Sequence, residues 1–172
     1  VLRFYDDVVA PTKTDLEWLA KMAGGEQERL RSLGIKQYLL GLTGVELGVK
    51  SLFQPTCTIC GLTSGYQGEG SKTVLPARAS AKVDFRLVPD QKPEQVLSAL
   101  RTHLDQEGFS DVQITYLGGE SPARTDPDDP FVQIVTATAE PVYGHPMLIV
   151  PLSGGSGPRK RGTPNRPYAG TP

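Results

Sequence analysis

Between Thr56 and Pro89 the chain carries the pattern that most restricts its fold. Ala81, Val83, Phe85 and Leu87 alternate with Lys82, Asp84 and Arg86, the period of a strand with one dry face and one wet face. Upstream, Thr56 to Leu62 is rich in strand-forming residues, and Gly65, Gly68 and Gly70 punctuate the stretch between. Glycine supplies tight backbone geometry in such connections, so two strands joined by a glycine-rich loop are expected.

A helix follows. Asp90 precedes Pro93, a residue suited to a first helical turn, and Val96, Leu97, Leu100 and Leu104 form an apolar stripe closed by Gly108. Val112, Ile114 and Tyr116 predict a third strand. Asp126 to Pro130 opens a second helix bearing Phe131, Ile134, Val135 and Val142 and closed by Gly144, and Met147 to Val150 predicts a short final strand. The order from about 55 to 151 is therefore β-β-α-β-α-β. Two amphipathic helices over one face of a four-stranded, largely antiparallel sheet is the economical packing, an α+β, ferredoxin-like sandwich.

The flanks differ from this core. Residues 1–54 are expected to form a helical connecting segment. Thr14 would cap a helix carrying Leu16, Trp18, Leu19 and Met22, with further helices over Glu26 to Leu33 and Thr43 to Phe53. Residues 55–158 make the central domain. The tail over 159–172 has four basic residues, three prolines and no apolar period, which predicts disorder or a crossover to another part.

With 18 basic and 19 acidic residues the net charge is −1, which offers no electrostatic footing for nucleic acid or an anionic membrane. No apolar run approaches the roughly 18 residues of a membrane span. The first residues lack the layout of a signal peptide, and two cysteines without an export signal favour a cytoplasmic location. The chain starts without methionine, as an excised fragment would.

Candidate chemistry is sparse. Cys57 and Cys60 have C-x-x-C spacing, the spacing of a redox pair or half a zinc site. Gly61-Leu62-Thr63-Ser64-Gly65 is a poor helix start, however, and two further ligands are missing nearby, so two strand cysteines without joint chemistry are expected. Gly65 to Thr73 departs from a phosphate loop because Ser71 separates Gly70 from Lys72 and a strand follows. His103 and Asp105 diverge by about 200° on a helix, and His145 is the one other histidine. Asp126, Asp128 and Asp129 suit helix-start chemistry better than a cation site. Gly154-Gly155-Ser156-Gly157-Pro158 nearly spells a nucleophile elbow, with Pro158 in place of the last glycine. Its exposed amides are suited to a carboxylate or an oxyanion.

The strand–loop–strand motif resembles the lid, or dimerisation, domain of the two-zinc peptidases that include glutamate carboxypeptidase, carnosinase, aminoacylase and succinyl-diaminopimelate desuccinylase. Ser71 to Ala77, Arg86 to Pro89, Phe4 to Val8 and the glycine loop at 154–158 carry the resemblance. It implies a homodimerising, substrate-covering lid whose catalytic domain and two zinc ions belong to a longer parent acting on peptides or N-acyl amino acids. This chain alone is then expected to hold no metal and to be inactive. By the same resemblance, Gly154, Gly155, Ser156 and Cys60 stand at substrate-contacting positions. The competing expectation is a free-standing α+β regulatory module that binds a small ligand or a protein partner.

Overall fold

A computed structural model describes residues 1–154, so the expected tail at 159–172 lies outside the described residues. The first three helices are α1 (Lys13–Met22), α2 (Glu26–Leu33) and α3 (Gly44–Leu52). The strands β1 (Thr56–Ser64) and β2 (Ala79–Arg86) follow, then α4 (Pro93–Gln106) and α5 (Pro130–Tyr143). The chain is thus α+β, with its helical N-terminal segment where the sequence predicts it.

Helix α1 starts earlier than its pattern suggested. Thr12, not Thr14, is its N-cap: the Thr12 hydroxyl accepts from the Asp15 amide at 3.2 Å, while the Thr12 amide donates to the Asp15 carboxylate at 2.8 Å. This reciprocal pair satisfies two otherwise orphaned donors. A tertiary partner decides between the threonines, because Asp15 is fully buried against Arg124, and the Thr14 hydroxyl donates to Asp128 at 2.9 Å.

Helices α1 and α3 pack together through Leu19, which is 2% exposed, and Gly48. A Cβ at Gly48 would come within 2.9 Å of a Leu19 methyl, so the bare glycine allows the close approach. Glu26 at the start of α2 accepts from the Gly44 amide at 2.6 Å, tying α2 to α3. The N-terminal turn is fastened to the β2–α4 connection by Gln91. Its buried amide donates to the Phe4 carbonyl at 2.7 Å and accepts from the Val88 amide at 3.1 Å. Phe4 packs edge-on against Phe85, with ring centroids 5.5 Å apart.

The sheet is smaller than expected. Among the described residues it has two antiparallel strands, β1 and β2, and the predicted strands at 112–116 and 147–150 are absent from the ladder. Alternation reports a two-sided environment, but a strand forms only where its amides meet a partner backbone. Residues 112–119 instead run back beside α4. The Arg101 guanidinium donates to the carbonyls of Phe109 and Val112 at 2.9 and 2.6 Å, and Gly119 lies against Pro93. Met147 donates to the Glu140 carboxylate at 3.3 Å.

The expected placement of two helices over one sheet face is also corrected. Neither α4 nor α5 packs closely on the ribbon; β1 with β2 and α1 with α3 are the close element pairs among the described residues. An amphipathic stripe requires cover but does not specify which surface provides it. Buried apolar side chains are accordingly few: Phe4, Leu19, Leu30, Phe53, Val88 and Val96.

With so small a core, truncating its best-packed member should be costly. Leu19→Ala is expected to destabilise the chain by about 2–4 kcal/mol, read as a lower urea midpoint. An unchanged midpoint would refute the α1–α3 contact as a stabilising element.

Candidate functional site

The ribbon of β1 and β2 owes its character to one extra residue. Cys57 pairs with Phe85 and Ile59 with Val83, but Gly61 pairs with Lys82, leaving Cys60 without an opposite partner. This is a β-bulge. In an unbroken strand Ile59 and Leu62 would point to opposite faces, since they lie three residues apart. The bulge absorbs the odd residue, so Leu62 pairs with Ala81 and joins the face of Cys57 and Ile59. One face then carries Cys57, Ile59, Leu62, Ala81, Val83 and Phe85. The opposite face carries Thr56, Thr58, Lys82, Asp84 and Arg86.

Phe4 covers the Phe85 end, and the rest of the apolar face is open. Ile59 is 65% exposed and Leu62 73%. Two-stranded ribbons are marginal in water unless a third element covers them. Neither edge strand has a further neighbour among the described residues. The site therefore combines an open apolar face with two free backbone edges, a surface suited to another polypeptide.

The glycine-rich loop extends from one end of the ribbon. The Gln67 side-chain amide donates to the Ser64 carbonyl at 2.6 Å, the Tyr66 hydroxyl donates to the Glu69 carbonyl at 3.2 Å, and the Lys72 ammonium lies 5.9 Å from the Tyr66 ring centre. Gly65 and Gly70 take positive φ, at 71° and 83°. Glycine adopts this conformation without steric cost. Strand β2 follows the loop, where a phosphate loop leads into a helix N-terminus.

The predicted substrate contacts separate into described and undescribed residues. Cys60 is exposed at the bulge, with its thiol 3.4 Å from the Lys82 carbonyl. Gly154 follows the buried Pro151 at the limit of the described residues, while Gly155 and Ser156 lie outside them. No hydrogen bond joins Cys60 to Gly154. Cys57 and Cys60 are both free thiols.

Other candidates have local partners. His103 faces Glu107 at 4.0 Å, whereas Asp105 pairs with Arg101 at 2.8 Å, so the two diverge on α4 as helical geometry requires. Asp126 accepts from the Asp128 amide, and Asp129 caps α5 by accepting from the Phe131 amide at 2.8 Å. Among the described residues no group of three or more His, Cys, Asp or Glu side chains is placed to hold a metal ion. The donor set does not fit a two-zinc centre, which needs several imidazoles and a bridging carboxylate.

Elsewhere an open groove of about 610 Å³ lies between the N-terminal turn and α4, lined by Arg3, Asp6, Gln95, Ser98 and Thr102 among others. Arg3 donates to Asp6 at 2.9 Å, and that hydrogen bond, followed by the Asp6 charge, raises the guanidinium pKa above its ordinary value. The apolar continuity of the ribbon was missed from sequence, although apolar residues at 57, 59 and 62 carried its signal: a spacing of two followed by three.

Over residues 14–112 the sequence matches the family model described as a peptidase dimerisation domain. It is 24% identical over 143 residues to the beta-Ala-His dipeptidase of Mus musculus, covering 80% of this chain and 29% of that protein. The fold is similar to the M20 family metallo-carboxypeptidase Sso-CP2 from Sulfolobus solfataricus, with a TM-score of 0.80 and 38% identity over 91% of this chain and 40% of the other. Human carnosine dipeptidase 1 shares the fold at a TM-score of 0.72 and 23% identity, covering 92% of this chain and 34% of its own. The chain thus spans less than half the length of these relatives.

With the ribbon uncovered, at concentrations where the chain is monomeric, both thiols are expected to react with a maleimide, giving two adducts per chain by mass spectrometry. Protection of Cys60 alone would contradict its exposed position at the bulge.

Proposed function

Because this chain belongs to the peptidase dimerisation domain family, we propose that it is the dimerisation and substrate-covering lid of a two-zinc amide-bond hydrolase of the metallopeptidase type. The observation that carries the reading is the open apolar face of β1 and β2. A second copy seated on this ribbon, across a two-fold axis, covers Ile59, Leu62 and Val83.

Catalysis belongs to residues outside this chain. In the proposed parent a zinc pair would polarise the scissile amide and lower the pKa of a bound water; the zinc ligands are not drawn from the residues described above. This chain contributes cover and contacts. Cys60, Gly154, Gly155 and Ser156 are the proposed substrate-facing positions, with glycine-loop amides directed to a carboxylate or an oxyanion. The relatives named as dipeptidases and as a carboxypeptidase support short peptides as the substrate class.

Two experiments test these assignments. Light scattering over a wide concentration range is expected to give twice the 18.5 kDa chain mass, and Ile59→Lys to weaken the dimer by at least about tenfold, since a charge would be buried in its interface. A monomer at every concentration would remove self-association from this chain. Incubated alone with zinc and a panel of dipeptides, the chain is expected to release no amino acids. Turnover dependent on zinc would overturn the lid reading.

A further inference from the structure

The connection between α4 and α5 is fastened to the N-terminal helices at a buried joint. The Arg124 guanidinium donates to the fully buried Asp15 carboxylate, whose other oxygen accepts from the Thr12 amide and hydroxyl at 2.8 and 2.9 Å. The same guanidinium lies 5.4 Å from the ring centre of Phe53, which is 3% exposed. Three residues further on, Pro127 is fully buried, and Asp128 accepts from the Thr14 hydroxyl. Helix α5 grows directly from this joint, with Asp129 as its cap and the Gln133 side chain donating to the Pro127 carbonyl at 2.8 Å.

Beyond the joint α5 has little to hold it. Phe131, Ile134 and Val142 are 70%, 60% and 79% exposed, and α5 packs closely on no other helix or strand among the described residues. The family match ends at residue 112, so the joint connects a matched helix, α1, to chain beyond the match. We propose that Asp15, Arg124 and Phe53 form a clamp that sets the direction in which α5 leaves the helical layer. Opening the clamp lets residues 121–144 come loose and open locally. The inference rests on these contacts and is independent of the lid reading.

Amide hydrogen exchange of the full chain, read by mass spectrometry, tests the clamp. Arg124→Met leaves Asp15 buried without its cation; Arg124→Met with Asp15→Asn removes both charges, so it decides the matter if the single variant unfolds. Peptides from 121–144 are expected to exchange more than about tenfold faster, the factor equivalent to 1.4 kcal/mol of local opening. Peptides from α4 should stay within about twofold of the unsubstituted chain. Unchanged exchange in α5, or an equal rise in α4 and α5 of the double variant, would overturn the clamp.

Discussion

Ile59 and Leu62 share one side of the ribbon because Cys60 is squeezed out of the ladder between them, and that extra residue governs much of what the chain presents to its surroundings. Without the bulge, the apolar side chains of β1 would be divided between the two faces, and neither face would form a continuous patch. With it, one side is apolar from Cys57 to Leu62 and the other is polar from Thr56 to Arg86. Apolar burial scales with the area removed from water, so a continuous face favours association more than scattered residues do. The same bulge locates an exposed thiol beside the Lys82 carbonyl.

The rest of the molecule is arranged around scarce internal cover. Leu19 against Gly48 holds the N-terminal helices together, Gln91 ties the first turn to the β2–α4 connection, and Asp15 with Arg124 anchors the approach to α5. Each tie is a polar or close-packed contact between segments far apart in sequence. Between them lie exposed apolar surfaces on the ribbon and on α5. The chain spans under half the length of the solved relatives it resembles.

Several features were legible in the residues themselves. The alternation from Ala81 to Leu87, the proline starts at Pro93 and Pro130, and the glycine stop at Gly144 are local signals, and their elements formed at those places. The separation of His103 from Asp105 and the capping role of Asp129 also follow from short-range geometry. Thr14 was the expected cap and Thr12 is the one used, because Asp15, the partner of Thr12, is held by Arg124, more than a hundred residues away.

The sequence by itself determined where α1 to α5, β1 and β2 lie along the chain and which side of β2 is apolar, because these depend on neighbours within a few positions. Tertiary structure alone decided that β1 and β2 pair with a bulge at Cys60 and that residues 112–119 lie along α4 instead of joining a sheet. It alone decided that Asp15 is buried against Arg124. The reason is physical: apolar periodicity states a demand for cover, while hydrogen-bond partners and buried charges are set by whatever distant segment arrives to meet it.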